Sequence, residues 1–160
     1  MDAAVSVVKA KEYDVCVWLH TAKDPPMDEW LKAMEITRAA KLARGDGSRI
    51  RSLVISDGGA PNATQRGQLD DAFDNKPHKL VVVTIALSNP IKRGIATAIS
   101  WINPAFRAVS PAQVDIGLTH LDLSGKLEMF FPELDRMQKL MAPVITLQIL
   151  KNNAARTAKR

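Results

Sequence analysis

Cysteine is nearly absent from this chain. A single residue, Cys16, stands among 160. One cysteine excludes an internal disulfide framework and any cysteine-rich zinc site. Aromatic residues are also scarce, at 5%. Platforms that stack single-stranded nucleic acid interleave aromatics with basic residues, and no such run occurs, so no specific nucleic-acid partner is expected. No apolar run approaches the ~20 residues needed to span a bilayer. The first residues, MDAAVSVVKAKEYD, lack the long apolar stretch that follows a basic start in a secretory leader. These absences together predict a cytoplasmic protein. Excess charge is missing too, despite a net charge of +5 and a pI near 9.5. Of 22 basic residues, Lys151, Arg156, Lys159 and Arg160 lie in the last ten positions, and the remaining 18 nearly balance 17 acids. The reading is therefore one α/β domain over residues 1–150, followed by a basic flexible tail over 151–160.

What is present is organised around residues 51–73, RSLVISDGGAPNATQRGQLDDAF. Leu53, Val54 and Ile55 form a short apolar run of the kind found in a strand covered on both faces. Asp57, Gly58 and Gly59 end it, glycine permitting positive φ and close backbone approach. Pro61 cannot join a ladder. Asn62 with Gln65 three residues later predicts a capping box at a helix start. Leu69, Ala72 and Phe73 then fall at helical spacing. A strand, a glycine turn and a helix N-terminus in succession suggest a site for an anion, because free N–H groups and the helix dipole converge on the turn.

Elsewhere the pattern alternates between strand and helix. Residues 5–8 and 15–19 are apolar runs joined by a short polar link, predicting an antiparallel hairpin. Cys16 falls inside the second run and reads as a small buried hydrophobe. Asp24 is expected to cap a helix entered through Pro25 and Pro26, with Met27, Trp30, Leu31 and Met34 on its inner face. Residues 79–87, KLVVVTIAL, form the most strand-like segment, suited to a central parallel position. Asn89 and Pro90 then open a helix with Lys92 and Arg93 in its first turn and Ile91, Ile95 and Ile99 on one face. Residues 106–109 suggest a short further strand. Ser110 and Gln113 repeat the capping pattern before Val114, Leu118 and Leu121. Residues 126–141 read as a helix in which Pro132 must mark a start or a kink, and 144–150 are open between strand and helix.

The fold class that follows is α/β: a mainly parallel β-sheet with an N-terminal antiparallel hairpin strand and four to five helices. Ligands of such sheets bind beyond the carboxyl ends of the strands. That edge should gather His20, Thr21, Ser56, Asp57, Gly58, Gly59, Ser88, Asn89 and Ser110, and Asn62, Gln65, Arg66 and Arg93 complete the expected binding surface. His20, Asp57 and Ser88 could be combined into a hydrolytic set, yet no G-x-S-x-G elbow fixes them. His20, His78 and His120 are far apart, with no paired-ligand spacing, so no metal or other cofactor is implied.

The hairpin YDVCVWLH, the order of elements and the segment VISDGGAPNATQRGQL together resemble the SpoIIAA-like fold shared by STAS and SEC14-type domains. The resemblance covers residues 5–141. It implies a non-enzymatic cytoplasmic module that binds a protein partner, a regulator or a kinase, in bacterial-type signalling, through residues 56–66 and the 89–93 turn. Phosphorylatable members of that family carry a hydroxyl at the helix start after the central strand. Thr64 occupies that place here, with Asn62 where the family has an acid and Gln65 where it has glycine. Two alternatives stand beside this reading. One is a protein or enzyme that holds a small anion or lipid headgroup at the 57–62 turn. The other is an oligomer-forming subunit that buries a Met-rich C-terminal helix around Phe130 and Met137.

Overall fold

The computed structural model describes residues 1–9, 13–45, 50–72, 80–87, 105–142 and 147–157. Among the described residues, five strands form one sheet in sequential order: β1 (Ala3–Lys9), β2 (Asp14–His20), β3 (Ile50–Ser56), β4 (Leu80–Ala86) and β5 (Phe106–Val109). The first pair is antiparallel, with Val8 opposite Val15 and Ala3 opposite His20. All later pairs are parallel. Among the described residues five α-helices accompany the sheet: α1 (Met27–Arg44), α2 (Ala63–Ala72), α3 (Val114–His120), α4 (Phe131–Gln138) and α5 (Gln148–Thr157). Single 3-10 turns at Pro111–Gln113 and Leu127–Phe130 lead into α3 and α4. The helix expected over residues 91–102, with its Asn89 cap and Arg93, lies outside the described residues.

Strand alternation divides the apolar residues into two cores, because successive side chains point to opposite faces of a sheet. On one face Val15, Val17, Leu19, Leu53, Ile55, Val83, Ile85 and Val109 pack against α3, α4 and α5. On the other, Cys16, Trp18, Ile50 and Val82 meet Trp30, Ala33, Met34 and Ala40 of α1, with Leu69 and Ala72 of α2 beside them. Gly117 explains how close α3 comes to the sheet: a Cβ there would stand 2.7 Å from a Val83 methyl. Pro132 sits in the first turn of α4, where its missing N–H removes no helix bond. It starts the helix rather than kinking it.

Several expectations change. Asp24 does not cap α1, whose N-cap is Pro26 without a side-chain bond. Its carboxylate accepts from the Ala60 N–H instead, at 3.0 Å. The buried stripe of α1 is Trp30, Ala33, Met34, Thr37 and Ala40, while Met27 and Leu31 are exposed. Small side chains let the helix approach the sheet, and that outweighs the greater hydrophobicity of leucine. Val54 is half-buried rather than covered. Phe130 and Met137 are fully inside the core of the single chain, so they offer no face for oligomer formation. The expected domain boundary at 150/151 falls within α5, where Leu150 and Ala154 are buried and Lys151 pairs with Asp135 at 2.8 Å. The apolar Leu147, Leu150 and Ala154, at i, i+3 and i+7, fix that helix on the core.

At the amino ends of the parallel strands lies a clamp that the sequence did not suggest. Arg51 stacks 3.8 Å above the Tyr13 ring. It donates to the Leu121 carbonyl and to the Asp122 carboxylate, each at 2.8 Å. Tyr13 in turn donates to the Asp122 carbonyl. The clamp holds the end of α3 to the edge of β3, and Asp122 adopts a left-handed φ of 58° to meet it.

Candidate functional site

Parallel register brings the carboxyl ends of β2 and β3 together, with His20 beside Ser56. The chain leaving β3 then turns through Asp57 to Asn62 into α2. Gly58 takes a φ of 126°, which only glycine adopts without strain. Gly59 is needed for another reason. A Cβ there would overlap the Lys23 carbonyl oxygen and come within 2.6 Å of the Thr21 oxygen.

The destination of each backbone N–H in this turn decides whether it can bind an anion. Asp57 donates to the His20 carbonyl at 3.0 Å and Gly59 to the Thr21 carbonyl at 2.7 Å. Gly58 donates to the Ser56 hydroxyl, which itself donates to the Gly59 carbonyl at 2.7 Å. Ala60 is taken by Asp24. Asn62 donates to the Gln65 side-chain oxygen and Gln65 to that of Asn62, at 2.9 and 3.0 Å. The capping box is therefore present, but the turn from Asp57 to Asn62 turns its donors inward. A small anion would find them already used, so the turn does not form the cradle expected of it.

The other sequence-selected residues separate into two groups. Gln65 is fully buried. Its side-chain N–H donates to the Pro25 carbonyl at 2.9 Å, tying α2 to the entry of α1. Asn62, Thr64 and Arg66 are exposed, and Arg66 donates to the Pro61 carbonyl at 2.7 Å. Asn89, Arg93 and Ser88 lie outside the described residues.

His20 is also buried, at 2% exposure. Burial lowers its pKa to about 4, against a smaller opposing pull from Asp24, so it is neutral at pH 7. Its Nδ1 has no hydrogen-bond partner. No carboxylate orients the imidazole through that atom, as a hydrolytic base would require. Ser56 is occupied with its own turn. Burial pushes the Cys16 thiol up to about 11, far from a reactive thiolate. No three His, Cys, Asp or Glu side chains cluster at metal-binding distance among the described residues.

Beside the turn, against the α1–α2 face of the sheet, lies a cavity of about 320 Å³. Its floor is Ser52, Val54, Ser56, Thr84 and Ala108, and its walls include Trp18, His20, Trp30 and Phe106. This explains why Val54 is only half-buried. Trp18 stacks on His20, ring centroids 6.0 Å apart, and leans against Trp30 at 5.5 Å. The Trp30 Nε1, like His20 Nδ1, is buried without a partner. The helical spacing of Trp30 marks it as a core residue, and no motif singles out Ser52 or Thr84. The available signal was the alternation S-L-V-I-S across residues 52–56, which puts two hydroxyls and one valine on a single face.

The fold has a solved counterpart. An uncharacterised protein of the DUF3478 family from Shewanella loihica PV-4, described as having a SpoIIAA-like fold, superposes with a TM-score of 0.52. The alignment covers 74% of this chain and 93% of that one, at 12% sequence identity. The chain has a SpoIIAA-like fold. At that identity the likeness extends to architecture alone. No family model matches the chain, and no curated protein does. No helix among the described residues is long and apolar enough to cross a membrane.

Proposed function

We propose that this chain is a non-enzymatic cytoplasmic interaction module in bacterial-type signalling, which presents the start of α2 to a protein partner. One observation carries the reading. Asn62, Thr64 and Arg66 are exposed on a turn fixed from beneath by the capping box and by the Gln65 and Asp24 bonds to neighbouring segments. A surface already held in one shape loses little conformational freedom on docking. Thr64 is open to a kinase, and a phosphate at a helix start would be favoured by the dipole.

The test is site-specific photo-crosslinking in living cells, with the photoreactive residue at position 64 and, as a distant control, at the exposed Leu140. A discrete adduct at 64 that is absent at 140 supports the reading, provided Arg66→Glu removes it while thermal unfolding is unchanged. Adducts that are the same at both positions, or that survive Arg66→Glu, overturn it. Phosphorylation is read separately, as a mass increase on the peptide containing Thr64 that Thr64→Val abolishes.

A further inference from the structure

Edge strands present a row of unpaired backbone groups, and native proteins blunt them with charge, proline or a bulge. β1 carries none of these between Ala3 and Val8. Its sequence is AAVSVVK, with Lys9 at the far end. All seven residues pair with β2 in unbroken register, so no bulge twists the edge away. Among the described residues β1 pairs on one side only. Val5, Ser6, Val7 and Val8 keep partial exposure, and Lys9 is exposed.

The direction of each backbone group follows from its neighbours. The His20 carbonyl accepts from the Asp57 N–H at the end of β3. The even residues of β2 therefore turn toward β3, and Val15, Val17 and Leu19 turn toward β1. Their partners are Val8, Ser6 and Ala4. Val5, Val7 and Lys9 are left to direct N–H and C=O outward. The outward N–H of Ala3 is already taken by the Glu29 carboxylate at 2.9 Å. The open run is thus Val5 to Lys9.

A second observation falls at the same place. α1 runs from the carboxyl to the amino ends of the parallel strands, as β1 does. Its bond to Ala3 puts Glu29 at the outer edge of β1. Ile36 lies seven residues, or two turns, further along that side of the helix, about 10 Å along the axis. Three strand residues cover roughly that length, so Ile36 stands level with Ser6. It is 39% exposed. Ala40 and Ala43, on the same side of α1, are small enough to admit a second helix at an axial distance of about 8–10 Å.

From these observations we infer that β1 is an interface with a second copy of this chain, joined antiparallel across a two-fold axis at Ser6, with Ile36 meeting its symmetry mate. The strand is self-complementary about that point. Val5 lies opposite the partner's Val7 and exchanges both backbone bonds with it, and Val7 does the same with the partner's Val5. Opposed β-branched side chains stabilise such a pair. Ser6 faces itself, and Lys9 falls opposite the partner's Ala3, so no like charges meet along the strand. Glu133, which accepts from the Ser6 hydroxyl, is already neutralised by Arg136. Moving the axis to Val7 would set Val5 against Lys9. Moving it to Val5 would set the Val7 carbonyl against the Ala3 N–H that Glu29 occupies. The inference does not rest on the partner surface proposed at α2.

Sedimentation equilibrium of the full chain tests this. The mass should rise with concentration from the 17.5 kDa of one chain to twice that value. Val7→Pro removes one outward N–H and leaves the ladder to β2 intact, so it should fold and remain a single chain. If Val7→Pro does not fold, the exposed Ile36 supplies the test. Ile36→Lys and Ile36→Glu should each be single chains alone, and an equal mixture of the two should recover the doubled mass. Ser6→Cys with copper phenanthroline as oxidant should link two copies, and Lys9→Cys should not. Wild type, whose Cys16 is buried, is the blank. A one-chain mass for wild type up to ~1 mM overturns the interface. So does a doubled mass that survives in folded Val7→Pro or in Ile36→Lys alone, or a mixture of the two Ile36 variants that stays at one-chain mass. Linking of Lys9→Cys as readily as Ser6→Cys overturns the axis at Ser6.

Discussion

The two faces of the sheet are made by the same strands and end in different states. On β3, Leu53 and Ile55 are fully buried beneath α3, α4 and α5. Their neighbours Ser52, Val54 and Ser56 point the other way, toward a space that the described side chains do not fill. Described helices cover the first face; on the second, small side chains line a cavity among the described residues. Adjacent substitutions on β3 distinguish the two faces. Leu53→Ala should destabilise by about 2–5 kcal/mol, the range for opening a cavity in a packed core. Val54→Ala should cost about 1 kcal/mol or less, because its surroundings are already loose. Urea unfolding of both variants decides it. Similar losses from the two would show that the faces are equally packed.

The buried imidazole on the open face gives a second contrast. His20 titrates near 4 in the folded chain because burial disfavours its charged form, against an ordinary value near 6.5. Above pH ~6.5 neither state binds the proton and the group contributes nothing to pH dependence. Below that the unfolded chain takes up a proton that the folded one refuses, so stability falls with pH until about 4. At ~1.4 kcal/mol per pH unit the loss approaches about 3 kcal/mol. His20→Phe keeps a ring against Trp18 and removes the titration. Its stability should therefore decline less than that of wild type between pH 6.5 and 4. Parallel declines would place the histidine in contact with water.

What could be read from the sequence was whatever depends on neighbours in the chain. The short strand Phe106–Val109, the Asn62–Gln65 box and the helix start at Pro132 follow from alternation, capping chemistry and the missing proline N–H. What could not be read depends on distant partners. Arg51 and Asp122 are 71 residues apart, and nothing local marks them as a pair. Asp24 has the spacing of a cap but is claimed by Ala60, 36 residues on. Leu31 is more hydrophobic than Ala33, yet α1 buries the alanine, because the helix must come close to β1 and β2. For the site, the residues at the sheet edge were legible and their roles were not. Donor positions can be read from a glycine turn; whether those donors are already used cannot. The cavity is a property of packing, and packing has no sequence period.

Returning to the turn, Gly59 separates the closed region from the open one. Gly59→Ala would drive a methyl into the Lys23 and Thr21 carbonyls, which are backbone atoms with little room to retreat. The expected loss is about 1–3 kcal/mol, typical of an overpacked position. Gly67→Ala, where nothing lies within 4 Å of the added carbon, should instead be neutral or mildly stabilising through helix propensity. Thermal unfolding of the pair compares steric conflict with intrinsic preference, and equal Tm values would mean that the turn yields freely.

The smallest contrast lies within α2 itself, one residue apart. Gln65 is buried and makes two kinds of bond, closing the cap on Asn62 and reaching the Pro25 carbonyl. Thr64, beside it, is exposed. Gln65→Ala removes the cap acceptor and leaves the Pro25 oxygen without its donor, for an expected loss of about 1–2 kcal/mol. Thr64→Ala should change stability by less than about 0.5 kcal/mol, as surface substitutions do. Yet it should remove the position-64 phosphopeptide if that hydroxyl is the modified one. Chemical denaturation and peptide mass mapping of the two variants separate the buried structural side chain from the exposed hydroxyl. A Thr64→Ala protein as unstable as Gln65→Ala would mean that the threonine is part of the cap, and the case for an exposed regulatory hydroxyl would lose its footing.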